Sequence, residues 1–181
     1  HFHVRYTQLG ETFGDNANAV GFIRDDNRRE LDSALSKTFW FKRGFIERIS
    51  YDSNYNIYWG LNGTLRSWQV DEGLNFDFKN KLSLEADYTE EYKLYEKGFR
   101  NRETGLTLGY NTREWQSAEL AFQFGRNFDS DFRLVEGRLN AKLTRDFSLE
   151  YSISRLVLDP DPEQETTWIH VLRATNSFTK D

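Results

Sequence analysis

The stretch Leu82-Ser83-Leu84-Glu85-Ala86-Asp87-Tyr88-Thr89-Glu90-Glu91-Tyr92-Lys93-Leu94-Tyr95 decides the fold. Leu82, Leu84, Ala86, Tyr88, Tyr92 and Leu94 fall on one side of an extended chain, and Ser83, Glu85, Asp87, Thr89, Glu91 and Lys93 on the other. Only Glu90 interrupts the apolar row. Successive side chains of a strand point to opposite faces, so a period of two over this length specifies a strand. A strand of a soluble sandwich is typically ~5–6 residues long. This run, at ~3.4 Å per residue, reaches roughly 48 Å, or about 36 Å in height when tilted by ~40°. A bilayer core is ~30 Å thick, so the strand is long enough to cross one.

Outward from this run the same alternation recurs in Leu106, Leu108 and Tyr110; in Leu120, Phe122 and Phe124; in Val135, Leu139, Ala141 and Leu143; and in Phe147, Leu149, Tyr151 and Ile153. Polar, charged breaks at Arg43-Gly44, 79–81, Arg113-Glu114, 144–146 and 179–181 come at an interval that holds two such runs each, which predicts a chain of hairpins. Between them, 54–63, 96–101, 127–131 and 159–165 read as longer loops, the asymmetry of an up-and-down meander. No segment has a convincing helical period. The expected fold is all-β: an antiparallel up-and-down meander of about ten long strands, part or all of a transmembrane β-barrel. It forms a single domain over 1–181 with a long loop at 10–29. Phe39, Phe41, Phe76, Phe78, Trp115, Phe147 and Phe178 sit beside the short turns, whereas Tyr55, Tyr58, Trp59, Tyr92, Tyr95, Phe128 and Trp168 sit toward the longer loops. Two aromatic levels are the pattern of barrel girdles. Lys37, Arg126 and Arg173 interrupt apolar rows, and in a bilayer they must lie at an interface or face inward.

Composition narrows the classes. The 181 residues are 38% hydrophobic, 29% charged and 16% aromatic, which is aromatic without being greasy. The chain has no Cys, which excludes disulfides, thiolate zinc sites and a cysteine nucleophile. A net charge of −5 argues against nucleic acid, which wants a basic stripe. No apolar run approaches the ~20 residues of a membrane helix. There is no Met, and the chain stops at a turn-like Thr179-Lys180-Asp181, so a larger protein is expected, with a partner protein or the rest of the barrel continuing the sheet.

Val20-Gly21-Phe22-Ile23-Arg24, leading through Asp25-Asp26-Asn27-Arg28-Arg29 into a long strand, resembles the Gly-Phe-aliphatic-Pro-Arg segment of a family of uncharacterised bacterial outer-membrane proteins, although no Pro stands between Ile23 and Arg24. In that family a β-barrel follows an N-terminal family 9-like carbohydrate-binding domain. The closing stretch from Trp168 to Asp181 is similar to the last part of that barrel. The resemblance implies an outer-membrane location and an outer-membrane lipid environment, and it carries no catalytic residues.

No catalytic or cofactor motif is present: no G-x-S-x-G, no H-E-x-x-H, no phosphate-cradling glycine loop. Neither an enzyme nor a cofactor is expected. His1 and His3 share a strand face at a spacing that could ligate metal, but as terminal histidines they read as incidental, and His170 reads as structural or interfacial. Asp159-Pro160-Asp161-Pro162-Glu163 holds oxygen ligands of the kind calcium takes and reads as a solvated acidic loop. Segment 10–29 is the expected functional element, folding inward so that Arg24, Arg28 and Arg29 meet lumen carboxylates such as Glu85 or Asp87. The expected role is a pore or surface-binding protein for a small solute such as a saccharide. Two alternatives stand beside it: a soluble lipocalin-like barrel with an apolar ligand, and a non-transporting surface scaffold.

Overall fold

The computed structural model describes residues 1–13, 27–159 and 166–177. They form one sheet of ten antiparallel strands in sequence order: β1 (Phe2–Leu9), β2 (Arg28–Trp40), β3 (Ile46–Gly60), β4 (Leu65–Phe78), β5 (Leu82–Leu94), β6 (Gly98–Tyr110), β7 (Ser117–Asn127), β8 (Ser130–Lys142), β9 (Phe147–Asp159) and β10 (Thr167–Asn176). The sheet is not closed: β1 and β10 are its edges. No helix among the described residues is long and apolar enough to cross a membrane.

Several connections are shorter than their composition implies. Asn54–Gly60 is strand, and the turn after it is only Leu61–Thr64, closed by the Gly60 amide on the Thr64 carbonyl at 2.9 Å with Gly63 at φ +84°. Asparagine-rich sequence reads as loop because Asn favours turns. Here Asn54 and Asn56 occupy strand positions on a polar face, where an amide is at home. The 96–101 and 127–131 loops shrink likewise, because β6 begins at Gly98 and β8 at Ser130. Phe128, at φ +53°, makes the two-residue turn between β7 and β8. Strand β2 starts at Arg28, so the first connection is 10–27 and takes in neither Arg28 nor Arg29. The two longest connections, 10–27 and 160–166, lie at the same end of the sheet.

The register divides the sheet into two faces. One row on the polar face runs Ser36, Asp52, Gly73, Asp87, Gly105, Gln123, Leu134 and Leu156 from β2 to β9. A row on the apolar face runs Lys37, Tyr51, Leu74, Ala86, Leu106, Phe122, Val135, Arg155 and Trp168 from β2 to β10. Arg173 pairs with Glu150 and so belongs to the polar face, not to an apolar row as alternation within β10 alone implied. The sheltered face is the polar one. Glu30, Asp77, Asn101 and Ser148 are buried and Ala121 is the only buried hydrophobic residue among those described, while Leu108, Leu120 and Leu139 on the apolar face are 49%, 54% and 53% exposed. A water-soluble sheet would bury the opposite face.

Aromatic residues on the apolar face fall on two inclined lines. Trp59 on β3 lies eight residues along the strand from Tyr51, whose row reaches Trp168 on β10. That is a drop of roughly 27 Å over about 34 Å of sheet width, an inclination of ~39°. Trp68, Tyr92 and Phe124 lie within a residue pair of this line. At the other end, Phe39 and Phe147 define a second line inclined in the same sense by ~31°, with Phe76 and Tyr110 beside it. Measured along the common normal, the lines are roughly 26–30 Å apart, close to the ~25 Å apolar band and ~35–45° strand tilt of barrels in membranes. Lys37, Glu90, Arg102, Arg126, Arg133 and Arg155 all lie at or near a line. Glu72 is the exception, near mid-height, where its carboxylate accepts the Tyr51 and Ser53 hydroxyls at 2.6 and 2.9 Å.

One glycine is required by close backbone approach. A Cβ at Gly125 would strike the Arg102 carbonyl of β6, whereas one at Gly105 would meet only side-chain atoms at 3.6 Å and beyond. Gly125→Ala is therefore expected to destabilise by about 1–3 kcal/mol through forced strand displacement, and Gly105→Ala by less than about 1 kcal/mol. Urea unfolding of the two variants checks this, and equal midpoints would refute it.

Candidate functional site

The site is the middle of the polar face across β3 to β6. Asp52, Asp71, Glu85, Asp87 and Glu103 project there from four adjacent strands, and register places each within one or two residue pairs of the next. Neighbouring strands are about 4.8 Å apart, so these carboxylates share a single field. Gly73 and Gly105 flank Asp87 on either side and leave the floor between the acids without side chains. Asp71 is held by the Thr89 hydroxyl at 2.9 Å and by the Gln69 amide at 3.0 Å. Asp52, Glu85, Asp87 and Glu103 have no hydrogen-bond or ion-pair partner among the described residues. The nearby cations are already engaged: Lys93 with Glu91 at 2.7 Å, Arg48 with Asp77, and Arg138 with Glu119 at 3.7 Å.

Beside the acids lies an apolar patch of Phe132, Leu134, Leu156, Leu158, Ile169 and Val171, on the same face at the end of the long connections. At the other end Arg113, in the turn 111–116, reaches back to Glu47 at 3.0 Å and Asp77 at 2.9 Å. Its hydrogen bond with Glu47, and the charge of Asp77 next to it, hold the guanidinium above its ordinary range. This tie braces the turn-side rim and leaves the acidic middle open. The whole arrangement can attract cations and hydrogen-bond hydroxyl-bearing solutes, and it repels anions.

The expected site residues are only partly brought together. Glu85 and Asp87 stand on the polar face as alternation predicts. Arg28 shares that face but engages Glu30 at 3.6 Å and lies 5.4 Å from the Tyr58 ring centroid, at the sheet's long-connection end and away from Glu85 and Asp87. Arg29 stands opposite Trp59 on the apolar face, since consecutive strand residues cannot share a side. Arg24 lies outside the described residues, as does most of the 159–165 acidic loop. His1 and His3 do share a face, their rings 5.8 Å apart, and His3 Nε2 is 3.4 Å from Asp32. Asp52, Asp71 and Glu103 went unread because their convergence depends on the register of four strands. The available signal was a carboxylate at an alternate position of each run.

Fold and site together define a class: an all-antiparallel β-meander of long strands with a largely exposed apolar face and an acidic polar face that carries the buried residues. No protein-family model, curated protein or solved structure matches the chain.

Proposed function

We propose that this sheet is wall of a bacterial outer-membrane β-barrel, with its apolar face against lipid and its polar face against water, and that it passes or binds a small solute. The observation that carries the reading is the inverted burial: the buried residues among those described lie on the polar face, while large apolar-face side chains of β1, β2 and β5 to β10 are exposed. Two aromatic lines with charges gathered near them give this face the profile of a bilayer, and the sheet satisfies its backbone in lipid once the β1 and β10 edges are paired, with each other or with further strands. The acidic middle of the polar face favours a cationic solute or a neutral polyhydroxylated one such as a saccharide.

A lipocalin-like soluble barrel would turn the apolar rows inward, opposite to the observed shelter. The expected result of removing detergent is aggregation of the purified chain, followed by recovery of a folded, protease-resistant form when lipid vesicles are added. Liposomes carrying the protein are then expected to swell in small sugars and amino-bearing solutes faster than in anions. A chain that stays monodisperse without detergent would overturn the membrane reading. Folded insertion with no solute flux would replace the pore by a surface scaffold.

A further inference from the structure

We propose that the apolar face carries a binding site for the phosphate groups of a membrane glycolipid, formed by Arg102 and Arg133 with Arg126 beside them; the proposal rests on the membrane reading above. Arg102 and Arg126 are direct cross-strand partners, a like-charge pair that is destabilising in itself and that Glu90, opposite Arg102, and Asp131, opposite Arg126, offset in part. Arg102 and Arg133 have no hydrogen-bond or ion-pair partner among the described residues. Arg126 is partly engaged, its Nε–H donating to the Phe128 carbonyl at 3.4 Å and its guanidinium 3.7 Å from the Asp131 carboxylate. Glu90, opposite Arg102, is already held by Arg100 at 2.6 Å. Arg102 and Arg133 therefore offer guanidinium donors that the described residues leave unused.

Their placement selects a lipid over other anions. From Arg102 on β6 to Arg155 on β9, the basic positions drop two residue pairs across three strand spacings. That is an inclination of roughly 43°, parallel to the aromatic line at the same end within the scatter expected of tilted strands. The arginines thus lie at one height, at the boundary between apolar band and water, where a lipid's phosphates sit. Arg155 is packed 5.6 Å from the Trp168 ring centroid and extends the line to β10. Between Arg102 and Arg133 is a recess of about 470 Å³, lined also by Tyr88, Thr104, Phe124 and Asp131 among others. Tyr88 and Phe124 give it an aromatic wall fit for acyl chains, and Arg102 and Arg133, with Asp131 near them, give it a rim whose guanidinium groups fit phosphate. The site lies at the end bearing the longest connections, which in barrels of this class faces the cell exterior.

The full chain, folded into zwitterionic vesicles and then taken into neutral detergent, is titrated with diphosphorylated glucosamine lipid, with inorganic phosphate as the competing probe. Lipid is expected to raise the unfolding temperature, and phosphate at equal concentration to leave it unchanged. R102Q/R133Q is expected to bind the lipid more than ~10-fold more weakly, because each charge-assisted bond lost is a large fraction of a headgroup's affinity. R102K/R133K retains the charge and is expected to keep part of the affinity, while R145Q, at the opposite end, binds as the parent does. Folding of each variant is checked first in zwitterionic vesicles. Equal lipid binding by parent and R102Q/R133Q, with both inserted, overturns the site and leaves the barrel reading intact. Protection by free phosphate as strong as by lipid overturns the lipid as occupant. Failure of the parent to insert in any vesicle overturns the barrel reading and, with it, this site.

Discussion

Leu106→Arg is expected to destabilise the protein folded in lipid vesicles by about 2–4 kcal/mol, the range for an arginine at mid-bilayer on the lipid face of a barrel. Leu106 is 44% exposed and lies close to midway between the two aromatic lines. By the rules for a water-soluble surface the same change would fall within about 0.5 kcal/mol. Depth supplies the control. Leu82, on the same face but near the turn-side line, is expected to tolerate arginine at a cost of about 0–1 kcal/mol. Thr107→Arg, one residue from Leu106 but on the polar face, is expected to change little. Urea titration of the three variants in vesicles measures the profile. A cost that is flat with depth, or larger at Thr107 than at Leu106, would sink the assignment of the apolar face to lipid.

Neutralising Asp52, Glu85 and Asp87 together, as D52N/E85Q/D87N, is expected to weaken the preference for cations strongly, with Asp71 and Glu103 left in place. Under a salt gradient across a planar bilayer, the parent's reversal potential has the sign of cation permeation, and the variant's moves toward zero. The acids project into water and not into a dry core, so their influence is a field that salt screens. The Debye length falls from about 10 Å at 0.1 M to about 3 Å at 1 M, so parent and variant should converge at high salt. Folding should be nearly unaffected, because none of the three acids holds a partner that would be left unpaired. An unchanged reversal potential at low salt would exclude the acidic band from the conduction path.

Much of the fold was legible in the sequence because a strand's period is short and local. The Leu82–Leu94 strand, its face assignment and the turns at 43–44, 79–81, 113–114 and 144–146 follow from which residues alternate and which cannot. The errors are equally local. Asn54, Asn56 and Tyr58 read as loop residues because asparagine is common in turns, yet a strand facing a polar interior has the same composition. Arg173 was assigned to an apolar row because Ile169 and Val171 precede it, and only pairing with Glu150 shows that this row is the polar one. The glycolipid site was hidden for a related reason. Arg102 and Arg133 are thirty-one positions apart, and neither breaks a motif.

By itself, the sequence determined that this chain is a meander of long amphipathic strands, since alternation, strand length and hairpin breaks are properties of adjacent residues. It also determined that one face is apolar and the other charged. Only the tertiary structure decided which face is sheltered, which carboxylates converge, and at what height the aromatics and arginines lie. Those properties depend on register between strands, and register is settled by pairing over the whole sheet, where a slip of one residue would turn every side chain to the other face.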